Sequence, residues 1–346
     1  MNDALPPPPK LRSTPNVSPT VRPTHLSKDF VRASSLHTLR RPITPPILRR
    51  ENATLSQLSS QDVLSVHATQ SRSTRRKIIE TVALKKRDDM MLQSYVTATD
   101  PYATVGTQLP AVLRGNFNGS GVPADGPLDR TPYAFLWCAT ARGITDSVSN
   151  SARTVLDPYM VGLREAIEIQ VTTGCPWQWR RICFTTKRDM VAALGTTGNS
   201  KFFTGLSDSS ARRTIATLAG NRNTGEQYAL YELLFQGQNA TDWVDPMVAK
   251  VDTTRASIRY DKTKTISCGN ERGMIRKYRR WHSMNKRLVY NGDESGGNEI
   301  SSDFSTRDAP GMGDYYVLDL FRARNGAAAD DVLTFSPQAT LYWHEK

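Results

Sequence analysis

Gln338-Ala339-Thr340-Leu341-Tyr342-Trp343 alternates with a period of two. Ala339, Leu341 and Trp343 fall on one side, and Gln338, Thr340 and Tyr342 on the other. Successive side chains of an extended chain point to opposite faces, so this pattern buries one face and exposes the other. The same reading holds elsewhere. In Tyr133–Cys138, Tyr133, Phe135 and Trp137 share a face. In Arg255–Tyr260, Ala256, Ile258 and Tyr260 alternate with Arg255, Ser257 and Arg259. Further strands are expected at Met160–Thr172, Trp177–Thr186, Tyr228–Phe235, Leu288–Tyr290, Tyr315–Phe321 and Val332–Phe335. Short helices are expected at Ser151–Leu156 and Thr241–Val248, the second capped by Thr241 or Asp242. Roughly eight or nine strands with long polar loops argue for a sandwich or barrel rather than a βαβ sheet. Eight strands with long connections suit an all-β fold, a single jelly-roll β-sandwich.

Charge is distributed unevenly. The 346 residues hold 45 Lys and Arg against 33 Asp and Glu, a net charge of +12. Residues 1–87 contain 16 of the cations and 5 of the anions, so they carry +11 and the remainder carries +1. Ten of the 20 prolines precede Arg50, and Phe30 is the only aromatic residue before Arg87. Such a segment buries too little apolar surface to offset the entropy of ordering. Residues 1–77 are therefore expected to form a disordered basic arm rich in Pro, Ser and Thr, and residues 78–346 a folded body. A cationic tail on a neutral body suits a polyanion partner. No stretch approaches the roughly 18 apolar residues of a membrane span, so no membrane partner is expected. Pro6 to Pro9 stand where the apolar part of a secretory leader would begin, so none is expected.

Three basic segments are candidate contacts. Arg72, Arg75, Arg76 and Lys77, followed by Lys85, Lys86 and Arg87, form two clusters at the junction of arm and body. They suit phosphate contacts, and Arg75, Arg76, Lys77, Lys85, Lys86 and Arg87 also suit a split nuclear import signal. The plainer reading is a solvated charge run. Binding of this kind works by counterion release and needs no base readout. The second segment is Arg272-Gly273-Met274-Ile275-Arg276-Lys277-Tyr278-Arg279-Arg280-Trp281, in which Tyr278 and Trp281 interleave with cations as in single-strand binding grooves. Its alternative is a strand with its aromatics in the core and its cations toward solvent or a neighbouring subunit. In the third, Trp177, Trp179 and Arg181 share a strand face and Arg180 takes the other. At least one of these arginines then has an apolar neighbourhood, which calls for a structural ion pair.

Little else in the chain suggests chemistry. Cys138, Cys175, Cys183 and Cys268 show no CxxC spacing and no histidine pair, so buried thiols are expected and no metal. Gly292-Asp293-Glu294-Ser295-Gly296-Gly297 resembles a serine-protease nucleophile motif interrupted by Glu294. Among the histidines only His282 is placed to serve as its base, and a Gly-rich turn between strands explains the string better. Asp293, Glu294, Glu299 and Asp303 read as a solvated loop before a calcium site. No phosphate-binding glycine motif is present. Neither an enzyme nor a cofactor is expected.

Several segments, in order, resemble one family. They are Thr74-Arg75-Arg76-Lys77-Ile78, Lys85 to Met90, Trp177 to Phe184, Leu234-Phe235-Gln236-Gly237 with Asp242-Trp243, and Tyr260-Asp261-Lys262-Thr263. Gly269-Asn270, Trp281 to Lys286, Val289-Tyr290 and Met312 to Tyr316 follow. Over about Ser73 to Lys346 the chain resembles the capsid proteins of genomoviruses, circular single-stranded DNA viruses associated with fungi, and more distantly those of geminiviruses. The resemblance implies a jelly-roll shell domain over 78–346. It implies self-assembly into a small icosahedral shell, T=1 with 60 copies, around single-stranded genomic DNA. The arm would lie inside, with the virion as the final location and assembly in the host nucleus, reached through an import receptor. Sixty copies of residues 1–87, at +11 each, would supply on the order of 660 net charges, short of a circle of about a thousand nucleotides. Body cations such as Arg276, Lys277, Arg279 and Arg280 would then have to contribute. Two rival readings are a non-viral single-stranded DNA binding module and a jelly-roll enzyme or lectin.

Overall fold

The computed structural model describes residue 74 and residues 81–117, 131–145, 149–194, 202–203, 211–296, 298–308 and 310–346. The chain divides into two units at Leu64/Ser65, and all the described residues belong to the second. Apart from Thr74, the arm expected over 1–77, with Arg72, Arg75, Arg76 and Lys77, lies outside the described residues.

In chain order the first elements are β1 (Leu84–Met90), β2 (Leu92–Ser94), β3 (Ala111–Arg114), β4 (Tyr133–Cys138), β5 (Tyr159–Val171), β6 (Trp177–Thr186), helix α1 (Met190–Leu194), β7 (Arg213–Ile215) and helix α2 (Gly225–Leu234). Then come β8 (Ser257–Ile266), β9 (Met274–Arg287), β10 (Tyr290–Ser295), β11 (Asn298–Ser305), β12 (Asp314–Ala323) and β13 (Val332–Glu345). Eight of these strands pair as a nested antiparallel set: β1 with β13, β4 with β12, β5 with β9, and β6 with β8. That is one long ribbon. It rolls up because β13 also borders β5 and β12 also borders β6. The result is two sheets, β1-β13-β5-β9 and β4-β12-β6-β8, the layout of a single jelly roll.

The two sheets bury their faces differently. In β13 buried residues alternate with partly exposed ones along its whole length, because only the inward face meets the other sheet. All six residues of β4 and nearly all of β6 and β12 are buried. One face of this second sheet meets the first through Phe135, Trp179, Phe321 and Phe335. Its other face is covered by Leu230, Tyr231 and Leu234 of α2 with Phe235, Trp243 and Met247, packed on Leu136, Ile182 and Leu318. A sheet covered on both sides loses the alternation.

Some expected elements differ. Tyr228–Phe235 is helix, not strand. Its buried residues Gln227, Leu230, Tyr231 and Leu234 follow the three-to-four spacing of a helix face. Thr241–Val248 forms turns, not a helix, since Asp242 and Asp245 accept backbone N–H bonds from Gln238 and Met247 and Pro246 interrupts the run. Ser151–Leu156 is not helical either, because Arg153 pairs with Ile144 and its carbonyl accepts from Thr145 N. Of Leu288–Tyr290 only Tyr290 is in a strand. Val332–Phe335 and Gln338–Trp343 belong to a single strand that runs through Pro337. β3 borders it up to Phe335 and β1 borders it from Ala339, so Pro337 sits in the gap between them. Val332 O accepts from Thr172 N, so by alternation the N–H that Pro337 lacks would have faced that gap.

The glycine-rich string lies in the β10–β11 hairpin, with Gly296 at a φ of 64° in the turn. Cys138, Cys175 and Cys183 are buried free thiols, and Cys268 is half-buried.

Candidate nucleic-acid interface

The candidate residues divide between two settings, and the clearest contrast is with β6. Arg181 donates to both oxygens of Asp319, at 2.6 and 2.7 Å, and to Glu165 Oε2 at 2.6 Å. Arg213 bridges the same two carboxylates at 3.3 and 3.1 Å. His282 Nε2 lies 3.0 Å from Glu165 Oε2, and Trp179 Nε1 donates to Asp319 at 2.7 Å. All of these groups are buried between the sheets. Burial alone would raise the Glu165 carboxyl, but Arg181, the hydrogen bond to His282 and Arg213 hold it well below the usual carboxylate range. Arg180, on the other face, makes two bonds to Asp261, at 3.0 and 2.7 Å, and a third to Pro246 O. Both arginines of this segment are thus structural, as their strand faces suggest. His282 is committed to Glu165 in the same network.

β1 separates the second basic cluster residue by residue. Lys85 and Arg87 point outward and are exposed. Lys86 points inward and cannot contact nucleic acid in the folded body, which corrects its assignment to both the binding and the import sets. Its ammonium pairs with Glu345 at 2.8 Å and donates to Ala152 O and Thr154 Oγ1.

β9 separates its segment in the same way. Lys277, Arg279 and Trp281 lie on the outer face, and Arg276, Tyr278 and Arg280 on the face toward the second sheet. On the outer face Lys277 pairs with Glu168 at 3.0 Å, Arg279 is exposed, and Trp281 is 53% exposed. Trp281 leans over Gly162 and its ring centre reaches 5.7 Å from that of Tyr342. Only glycine permits this, because a Cβ at position 162 would lie 2.5 Å from Trp281 Cζ2. Tyr342 stands opposite Arg87, and Trp281 opposite Arg164, itself exposed. The pleat therefore assembles an open aromatic pair edged by Arg87, Arg164 and Arg279. Tyr342 and Arg164 were not legible as site residues, since only the strand register brings them beside Trp281.

On the inner face, the edges of both sheets lie side by side. β8 ends one sheet and β9 the other. Lys264 of β8 lies over the Tyr278 ring at 4.6 Å, and Arg280 of β9 lies over the Tyr260 ring at 5.3 Å. Behind them Tyr278 meets Trp179 edge-on at 5.3 Å, which ties the seam to the core. None of Lys262, Lys264, Arg276 and Arg280 is ion-paired among the described residues. Partial burial and the neighbouring Arg280, Arg276 and Lys262 lower the Lys264 ammonium from its ordinary value. The period of two in Tyr260-Asp261-Lys262-Thr263-Lys264 would have grouped Tyr260, Lys262 and Lys264, but nothing in the sequence sets them against β9.

Neither a protein-family model nor a curated protein matches the chain. Among solved structures, an unassembled KI polyomavirus VP1 pentamer is similar at 10% identity, over 77% of this chain and 96% of that one. Its TM-score is 0.20, too loose a superposition for anything about this chain to be drawn from it.

Proposed function

We propose that the chain is a viral coat protein that self-assembles into a small icosahedral shell and packages circular single-stranded DNA. The observation that carries this reading is the bare outer face of the first sheet, where Trp281 and Tyr342 stand among Arg87, Arg164 and Arg279. Aromatic rings in a basic setting stack on unpaired bases of any sequence. Residues 1–87 carry a net +11, and their cations other than the buried Lys86 bind phosphates without reading bases. The rest of the chain is close to neutral, so copies can pack without strong mutual repulsion. Exposed Val105, Leu109, Val244 and Val248 offer apolar contacts between copies. In a shell of 60 subunits the arm and the bare face would line the interior. Nuclear import would use Arg75, Arg76 and Lys77 with the exposed Lys85 and Arg87, without Lys86.

Electron microscopy of the full-length protein mixed with circular single-stranded DNA tests this reading. Closed particles holding nuclease-resistant DNA are expected. Small oligomers alone, with DNA bound, would favour a single-stranded DNA binding module instead. For import, full nuclear accumulation after alanine replacement of Arg75, Arg76, Lys77, Lys85 and Arg87 would remove that element.

A further inference from the structure

We infer that the seam between the edge strands β8 and β9 is a phosphate-binding track for a single strand, formed by Lys262, Lys264, Arg276 and Arg280 on a floor of Tyr260 and Tyr278. The inference rests on the nucleic-acid reading and adds to it a second surface, which faces away from the Trp281–Tyr342 pair.

The four cations converge from two strands in different sheets, yet no described carboxylate pairs with any of them. Elsewhere in the body four buried arginines have such partners, Arg180 with Asp261, Arg181 and Arg213 with Glu165 and Asp319, and Arg142 with Asp88, while buried Arg153 donates to the carbonyls of Arg142, Val155 and Ser302. Here two of the cations lie on tyrosine faces instead. A ring face attracts a cation but leaves its full charge outstanding. Lys264, crowded by three like charges, is an ammonium in want of an anion. From Tyr260 to Lys264 the track runs about 13 Å, room for a few consecutive phosphates. The spacing of the cations by two along a strand suits a linear polyanion. The body of a second copy, residues 88–346, carries a net +1 and is the poorer complement to four clustered cations.

Inward-pointing charges also protect sheet edges from pairing with other chains. The two roles separate experimentally. Full-length wild type and a Lys262→Ser/Lys264→Ser variant are titrated with a labelled 20-nucleotide oligothymidylate over a range of salt. The slope of log affinity against log salt is expected to fall by about 1.4 in the variant, and binding near 0.1 M salt to weaken roughly ten- to thirtyfold. Should the variant misfold, acetylation of wild-type lysines read by mass spectrometry takes its place. Bound oligomer is expected to protect Lys262 and Lys264 more than the exposed Lys250. A folded variant with an unchanged slope, or equal lysine reactivity with and without oligomer, overturns the track. So does a variant that aggregates or stops assembling while its oligomer binding is intact, which would make the seam an edge guard or a contact between copies. Wild type that does not bind the oligomer at all refutes the nucleic-acid reading itself.

Discussion

β6 and β9 have nearly the same ingredients and opposite fates. One carries Trp177, Trp179, Arg180 and Arg181, the other Arg276, Lys277, Tyr278, Arg279, Arg280 and Trp281. β6 lies inside its sheet between β12 and β8, which supply Asp319 and Asp261. β9 closes its sheet with β5 as its only long neighbour, and of Arg276, Lys277, Arg279 and Arg280 only Lys277 pairs with a carboxylate among the described residues. Composition did not separate them; the number of flanking strands did. A central strand must neutralise the charge it buries, whereas an edge strand can hold charge ready for a partner.

The comparison can be broken most forcefully on the β6 side. Asp319→Asn leaves Arg181 and Arg213 buried over a single remaining carboxylate. Urea unfolding is expected to show a loss of about 3–5 kcal/mol. An unchanged midpoint would mean that the pairing in β6 does not matter for stability, and the contrast with β9 would collapse.

Asp314, at the start of β12, is the converse of the β9 cations: a buried carboxylate held by hydroxyls and a backbone N–H rather than by a cation. Thr140 and Ser305 donate to it at 3.0, 2.9 and 2.8 Å. Burial raises its carboxyl from 3.8 to about 6. Between those values the folded form holds more proton than the unfolded one. Its contribution is therefore complete below about pH 4 and is lost as pH rises through about 6, by about 3 kcal/mol. In Asp314→Asn that decline should vanish from unfolding curves collected between pH 4 and pH 7. Parallel curves for variant and wild type would show that another group carries the slope.

Gly162→Val tests the outer face of β9. The new side chain would collide with Trp281 and with His282 O, 2.7 Å from its Cβ. Expected are a destabilisation of about 1–3 kcal/mol, a shifted tryptophan emission and weaker single-strand binding. Unaltered emission would mean that Trp281 does not need the glycine. The smallest effect on the fold belongs to Arg279→Ser. Its stability should stay within about 0.5 kcal/mol of wild type. The salt slope of oligomer binding should still fall by about 0.7. An unaffected slope would take Arg279 out of the interface.

Much of the fold was legible in the chain. The alternation of Gln338–Trp343 and the limits of Trp177–Thr186 both survive in the structure. The misread elements have a common cause. α2 covers the outer face of the second sheet, and a helix that packs on a sheet needs as many apolar residues as a strand, so Tyr228–Phe235 imitates one. Lys86 was misassigned because its neighbours Lys85 and Arg87 are exposed and its own partner, Glu345, is 259 positions away in the chain. The Trp281 platform was half legible: the tryptophan stood out, whereas Gly162, Arg164 and Tyr342 carry no signal until the register of β5 and β13 is known.

By itself the sequence determined what depends on neighbours along the chain. The period of two assigned strands and their faces, and the count of charges separated a +11 segment from a balanced remainder. Only the tertiary structure decided which charges are spent internally. Glu165, Arg181, Arg213, His282 and Asp319 come from five strands and meet only because the ribbon rolls. Among the described residues Lys262, Lys264, Arg276 and Arg280 remain without carboxylates because that same rolling leaves β8 and β9 at the two edges. Electrostatic pairing acts over a few ångströms of space, and a β-sandwich sets those distances by sheet order rather than by position in the chain.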